Sequence, residues 1–475
     1  MMDHYRRLMA LLDRRERRGL VVLFAVIMLS SLIEAAGVVS ILPFLAVLAE
    51  PKVVETNPWL AEAYALSGLE TPRDFLVLLG AGVFMVLITG LLFKFLRAYM
   101  ITRFVQMRSY SLSMRMLRGY LAQPYAWYLD RHSSDLSKSV LSEVSAVVAG
   151  ALIPAINLLA SVLLAVFMIG VVVAVDPVIA LLSAGVLAAS YGLIYLATRG
   201  LLERLGHERV EINRQRFRAV QEAAGGIREA KVLETEPLLL RRFHAPARRL
   251  ARVQTLSAMI GQAPRFVLEG VLFGGMILLV LQLMVTRPGG LSEILPLLGL
   301  YAFAALRLFP AMQAIFNALT KLRFSKPVLE SVGEELAAFG AVVQRGPKPP
   351  ALHVGERIAL EGVRYTYPAA DRPALDGLDL EIPARTTVGL VGGSGAGKTT
   401  TVDVILGLLE PEAGALRVDG REIRGEALRA WRRAIGYVPQ HIYLTADTVA
   451  ANIAFGVPAG EIDRAAVERA ARIAN

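Results

Sequence analysis

Apolar residues in this chain gather into long runs near Leu20–Leu45, Phe75–Leu96, Val144–Val175, Val178–Ala197, Met259–Val285 and Ile294–Ala318. A helix needs about 20 such residues to cross a hydrocarbon core of roughly 30 Å. The pattern therefore predicts an all-α domain of six membrane helices, an even number that returns the chain to its starting side. The polar connections before Val144 and before Met259 are far longer than the loops of a compact bundle, and both keep the Arg, Leu, Ala and Glu content of helices. They read as membrane helices that continue beyond the bilayer. Each is broken once, at Gln123-Pro124, where proline removes a backbone donor, and at Gly225-Gly226, where glycine loosens the helix. After the sixth run the Pro-rich stretch Gly346–Pro350 predicts a linker, and beyond it short β-type runs alternate with helical ones, the pattern of a soluble α/β domain. The expected organisation is a membrane domain over 1–330, a linker over 331–350 and an α/β domain over 351–475.

Charge orients this plan. The chain has 51 Lys and Arg against 41 Asp and Glu, a net +10. In a soluble protein that surplus would suggest nucleic acid, but here it follows alternate loops. Arg6, Arg7, Arg14, Arg15, Arg17 and Arg18 precede the first run; the two long connections hold Arg103, Arg108, Arg115, Arg118 and Lys138, then the cluster from Arg204 to Arg252. The opposite connections are acidic or short: Glu50–Asp74, then Asp176-Pro177, then one carrying only Arg287. By the positive-inside rule the basic side is cytoplasmic, so both termini are expected inside the cell. The first run is too long for a cleaved signal peptide and stays as a helix. With no cysteine, disulfide frameworks and thiolate metal sites are excluded.

The α/β region carries the sharpest motif. Gly392-Gly393-Ser394-Gly395-Ala396-Gly397-Lys398-Thr399 fits the phosphate-binding loop G-x-x-x-x-G-K-S/T. Thr387–Val391 before it reads as a buried strand, and Lys398–Leu409 after it as a helix. In that order the glycines turn successive amides toward phosphate oxygens, the helix start adds positive potential, and Lys398 reaches the β and γ phosphates. Thr399 is placed to hold Mg²⁺, and Thr400, next in the helix, joins the nucleotide set. ATP and Mg²⁺ are the expected cofactors.

Around this loop the residues resemble ATP-binding-cassette domains. Val363–Pro368 looks like that family's adenine-stacking segment, with Tyr367 at the stacking position, although a strand-end tyrosine is the plainer alternative. Ile435–Gln440 looks like the strand leading into the family's Q-loop. There the resemblance implies that Gln440 contacts Mg²⁺ and the attacking water, and Asp447–Ile453 follows in the family's order. Six helices followed by this domain resemble an exporter-type half-transporter, which implies a homodimer that closes on ATP and opens its membrane cavity outward. No LSGGQ-type signature, apolar strand ending in Asp-Glu or switch histidine follows Gln440. The sequence thus holds no catalytic residue for hydrolysis, and it is expected to be a piece of a longer product whose partial domain leaves its sheet with an uncovered edge.

For the cargo, three segments resemble the PglK-type flippases of lipid-linked oligosaccharides: Ile33–Gly37 with Ile41–Phe44, Ser133–Lys138, and Gly226–Lys231. The resemblance implies that the last two are coupling helices docking on the nucleotide domains, that Asn57–Leu69 is a short external helix, and that the protein sits in the bacterial inner membrane. A polyprenyl diphosphate head needs cations inside the bundle, and an arginine at mid-bilayer costs about 2.5–3.5 kcal/mol unless it pairs, snorkels or works. Arg307 lies deep in the sixth run and is the leading pyrophosphate candidate. Arg265, nearer the cytoplasmic end, and Arg97 are further pyrophosphate candidates, although Glu269 one turn after Arg265 could simply neutralise it. Lys94 and Arg97 end the second run, where snorkelling is the usual explanation, while the resemblance places an arginine there too. Glu34 either faces the cavity or bonds across the bundle with neighbouring serines. Exporters of another lipid, a drug or a peptide share these features, and a non-hydrolysing membrane protein regulated by nucleotide is a reading of another class.

Overall fold

The computed structural model describes residues 6, 8–131, 133–175, 177–286, 291–339, 347, 349–368, 370–440 and 442–474. Asp176, Arg287, Gly346 and Lys348, which figured in the loop and linker expectations, lie outside them. The chain divides into two units, Met1–Gln123 with Arg131–Val343, and Pro124–Asp130 with Gln344–Asn475.

The first unit is helical. Helix α1 (Arg14–Val39) is followed by α2 (Ile41–Ala49); the break at Ser40 precedes Pro43, which has no N–H to continue the ladder. Asn57 caps α3 (Pro58–Ser67), accepting from the amides of Trp59 (3.1 Å) and Leu60 (3.4 Å). This is the short helix expected over Asn57–Leu69, with Trp59 exposed at one end. Helix α4 (Pro72–Ala122) runs unbroken to the predicted stop at Gln123-Pro124; α5 (Tyr125–Leu129), next in the chain, groups with the second unit. The third run is less regular than its apolar pattern suggests. Two π segments, Lys138–Glu143 and Val148–Leu152, precede α6 (Ile153–Val175). Helix α7 (Pro177–Gly225) ends at the second predicted break, before α8 (Ile227–Val232). Then come α9 (Glu236–Thr286), α10 (Leu291–Phe324) and α11 (Lys326–Ala338).

Among the described residues four helical stretches are long and apolar enough to cross a membrane: Arg14–Ala49, Pro72–Ala122, Asp135–Val175 and Tyr301–Phe324. The two other predicted runs lie on α7 and α9. Side chains such as Leu92 and Phe95 on α4 are exposed, a surface that suits lipid and would be costly in water. Inside, Ala35 and Val38 of α1, Met168 and Val172 of α6, and Tyr301 and Ala304 of α10 form one buried cluster. Residues 331–338, expected to open the linker, are the end of α11 instead. Val328, Leu329 and Val332 of α11 are buried, the Tyr120 hydroxyl donates to Glu335 (2.5 Å), and Phe339 packs edge-on against Tyr120. Helical packing therefore continues past residue 330.

The second unit is built on an antiparallel sheet in the order β2-β1-β3-β4, from β1 (Arg357–Tyr365), β2 (Leu375–Pro383), β3 (Ala413–Val418) and β4 (Arg421–Glu422). Helices α12 (Lys398–Ile405) and α13 (Gly425–Arg432) contribute Val404 and Trp431 to a core with Leu360, Val363, Leu416 and Val418. Two predicted strands are not strands. Residues 387–391 and 435–439 have no ladder partner among the described residues, and Val388, Leu390, Val391, Tyr437 and Val438 are exposed. Their apolar composition was read correctly, but a strand also needs a neighbour to take its N–H and C=O groups. Helix α12 also stops short of the expected Leu409, at a chain reversal through Gly407.

Asp419 staples this unit. Its carboxylate accepts from the amides of Gly355 (2.7 Å), Arg357 (2.9 Å) and Glu356 (2.7 Å), and these donors hold its pKa below the usual aspartate value. A depressed folded-state pKa gives stability that is present above the ordinary aspartate range and lost as pH falls through the lowered value. Asp419→Ala is expected to lower the melting temperature at neutral pH, with the gap from the parent closing on acidification; melting curves across pH check this.

Candidate functional site

The nucleotide-type site lies within the second unit. The chain turns at Gly393, whose carbonyl accepts from the Ala396 amide (3.3 Å), and enters α12 through Gly397. Gly397 has φ +83°, and a Cβ there would lie 2.8 Å from the Ala374 carbonyl oxygen, so only glycine fits. As the N-cap residue it offers no side-chain acceptor to the first amides of α12, which leaves them free for an anion. Lys398 folds back across the loop, its Nζ donating to the carbonyls of Gly392 (2.8 Å) and Gly393 (2.7 Å). Ser394, Gly395 and Ala396 form the exposed rim, Thr399 is exposed at the helix start, and Thr400 is buried. A phosphate chain fits this arrangement: the first amides of α12 have no side-chain cap, and the lysine is held by weak neutral acceptors that a phosphate oxygen outcompetes.

Tyr367 is brought to the same helix. Its hydroxyl lies 3.1 Å from Thr400 Oγ1, and its ring stands edge-on to Tyr365 with centroids 5.2 Å apart. Gln440 is not brought in: it is exposed in a bend, and among the described residues no hydrogen bond joins it to Thr399 or Lys398. The segment after it folds as a short helix, Val449–Ile453, capped by Thr448, with the Asn452 side chain tied to Thr445.

One neighbour of this site was missed. Helix α5 belongs to the second unit, and Ala126 packs against that unit's core. Burial, and then the proximity of Asp403, Tyr367 and Tyr437, push the Tyr125 phenol pKa up. Ser133–Ser137, part of the first docking segment expected at Ser133–Lys138, is a helix of the first unit, and Tyr125–Leu129 is the segment that groups with the second. The aromatic pattern Tyr125-Ala126-Trp127-Tyr128 just after the Pro124 break was the available signal.

A second cluster lies inside the helices of the first unit. Glu34 on α1 has a side chain only 5% exposed, and two arginines share it: Arg97 on α4, Nη1 to Oε1 3.3 Å, and Arg307 on α10, Nη1 to Oε2 3.9 Å. Lys94 lines a narrow cavity of about 20 Å³ with Glu34 and Arg307. It also lines a groove of about 340 Å³ with Arg97, Thr102, Gln106 and Asn157. Arg97 therefore does not simply snorkel. Nor does Glu34 bond with the neighbouring serines, since the buried Ser30 and Ser31 hydroxyls have no hydrogen-bond partner among the described residues. Arg265 stands apart: its Nε pairs with Glu269 Oε1 at 3.2 Å, one turn along α9, and both side chains are exposed.

Known proteins share both halves of this plan. Residues 20–279 match the family profile described as the ABC transporter transmembrane region, and residues 375–475 match the ABC transporter profile. The chain belongs to the ABC transporter family. An ATP-dependent lipid A-core flippase of Cupriavidus pinatubonensis is 29% identical over 282 residues, covering 58% of this chain and 46% of that protein. One from Ralstonia nicotianae is 28% identical over 374 residues, covering 76% and 60%. A solved structure of a bacterial Atm1-family ABC exporter with ATP bound superposes with a TM-score of 0.71 at 21% identity, over 97% of this chain and 77% of that one. The fold is thus a mostly helical exporter-type membrane domain followed by an ABC ATPase domain with a small sheet. The chain spans about half to three-fifths of the length of these two curated relatives.

Proposed function

We propose that this protein is an ATP-driven exporter that flips an anionic lipid across the bacterial inner membrane, working as a homodimer with both termini cytoplasmic. The observation that carries the reading is the presence, in one chain with a phosphate-binding loop, of a buried carboxylate shared by two arginines within apolar helices. Charges at such depth persist when they are paired and mark a substrate path. ATP with Mg²⁺ supplies the free energy of hydrolysis. Lys398, the first amides of α12 and Thr400 would hold the phosphates, Thr399 and Gln440 would offer ligands to Mg²⁺, and Tyr367 would hold the base. Arg97 and Arg307, with Arg265 as an outlying contact, receive the head group while the lipid tail stays in the bilayer.

The relatives' name, lipid A-core flippase, supports a lipid cargo. Within that class we favour a polyprenyl-diphosphate oligosaccharide, on the segments around Ile33–Phe44 and Gly226–Lys231; a phosphorylated glycolipid of the kind those relatives' names carry is the second reading. In the longer product that carries the hydrolytic residues, Arg307→Ala is expected to lose at least about tenfold in ATP-dependent flipping of a fluorescent polyprenyl-diphosphate lipid in proteoliposomes, the scale of one charge-assisted hydrogen bond. Flipping at the parent rate would remove the arginine from the path. Transport of an uncharged drug or peptide instead of the lipid would move the protein to another exporter class, and nucleotide binding with no transport at all would favour a regulated, non-transporting protein.

A further inference from the structure

We infer that Glu34 sets the charge of the cargo: it is the built-in counter-ion that brings the site's positive surplus down from three to two, so that a doubly charged head group is matched and a singly charged one is not. This rests on the anionic-lipid reading of the same cluster and adds to it the residue that selects among anions. Lys94, Arg97 and Arg307 bring three positive charges to the site, and the Glu34 carboxylate brings one negative charge. Two units of positive charge are left to be balanced.

A carboxylate shared by two guanidiniums cannot saturate either. The Arg97 contact is 3.3 Å and the Arg307 contact 3.9 Å, both longer than a tight charge-assisted bond. Each arginine keeps donors to offer, and Arg97 lines the groove of about 340 Å³ where Lys94, Thr102, Gln106 and Asn157 add further polar groups and no carboxylate intrudes among the lining residues. A dianionic head engages Lys94 and both arginines and closes the charge balance. A monoanion leaves an uncompensated positive charge among apolar helices, and any arginine it draws away strips Glu34, whose side chain is 5% exposed, of a partner. Because bulk membrane phospholipids carry at most one negative charge on a phosphodiester, such a rule would keep the groove from filling with ordinary lipid.

The full chain in detergent is titrated with farnesyl diphosphate, phosphatidylglycerol and uncharged diacylglycerol. The parent is expected to bind the diphosphate at least about tenfold tighter than phosphatidylglycerol. In Glu34→Gln the surplus rises to three charges, which a diphosphate monoester can match and phosphatidylglycerol cannot, so the ratio in favour of the diphosphate is expected to widen about tenfold, about 1.4 kcal/mol. Glu34→Asp keeps the charge but withdraws it by one methylene, and is expected to shift the ratio the same way by less; it carries the test should the glutamine variant fail to fold. If the parent prefers the diphosphate and loses that preference in Arg307→Ala, while the Glu34 variants leave the ratio within about twofold, the Glu34 inference alone is overturned. If the parent binds the diphosphate no better than diacylglycerol, the anionic-lipid reading falls and takes this one with it.

Discussion

Lys398→Ala is expected to weaken ATP binding by about 10- to 100-fold while leaving the second unit folded. The ammonium has no buried partner: its two acceptors, the Gly392 and Gly393 carbonyls, sit on an exposed loop where water replaces the lost donor. The cost to folding is that of an exposed substitution, within about 0.5 kcal/mol. With nucleotide present, the same ammonium would neutralise β and γ phosphate oxygens, and hydrogen bonds to charged groups contribute about 1.5–3 kcal/mol, which converts to the stated loss at about 1.4 kcal/mol per factor of ten. Titration of the purified protein with a fluorescent ATP analogue, beside a melting curve, separates the two effects. Unchanged affinity would mean that the loop does not cradle phosphate.

Much of this architecture is written locally. Long apolar runs, the Gln123-Pro124 and Gly225-Gly226 breaks and the glycine spacing of 392–397 each act through neighbours in the chain, and each sits in the structure where its local chemistry puts it. What could not be read depends on distant partners. The apolar segments 387–391 and 435–439 are recognisable, but composition does not say whether a ladder neighbour stands beside them, and among the described residues none does. The π turns at Lys138–Glu143 and Val148–Leu152 leave no mark either, because widening a turn changes hydrogen-bond partners without demanding a particular residue.

The charged residues of the membrane helices show the same limit from another side. Glu34, Arg97 and Arg307 are each conspicuous as a charge in or beside an apolar run, and each alone has several explanations. Only the packing of α1 against α4 and α10 shows that one carboxylate serves both arginines. Arg265, by contrast, was decided by its own helix, because Glu269 lies at the i+4 position where a partner is reached without any fold at all.

The largest stability effect is expected from Gly414→Ala in β3. Gly414 has φ +79°, and a Cβ built there would run into the backbone carbonyls of Glu361 and Gly362. The pairing explains why: between β1 and β3 the register slips, Glu361 standing opposite Ala415 but Arg364 opposite Ala413, so β1 bulges toward Gly414. Rotating a side chain cannot relieve this contact, since both partners are main chain, and the bulge is held by the Glu361–Gly362 segment, whose Gly362 amide donates to Asp379 (2.6 Å). Left-handed backbone strain and displacement of paired strands together cost about 2–4 kcal/mol or more, a large share of the roughly 5–15 kcal/mol that holds a typical domain. Gly393→Ala is the matched control, with nothing within 4 Å of its Cβ and no left-handed φ. Limited proteolysis is expected to cleave the Gly414→Ala chain within the second unit at a temperature where the Gly393→Ala chain and the parent resist, with the helical unit untouched in all three. Equal resistance would show that β1 and β3 yield at the bulge without losing the core around Leu360 and Leu416.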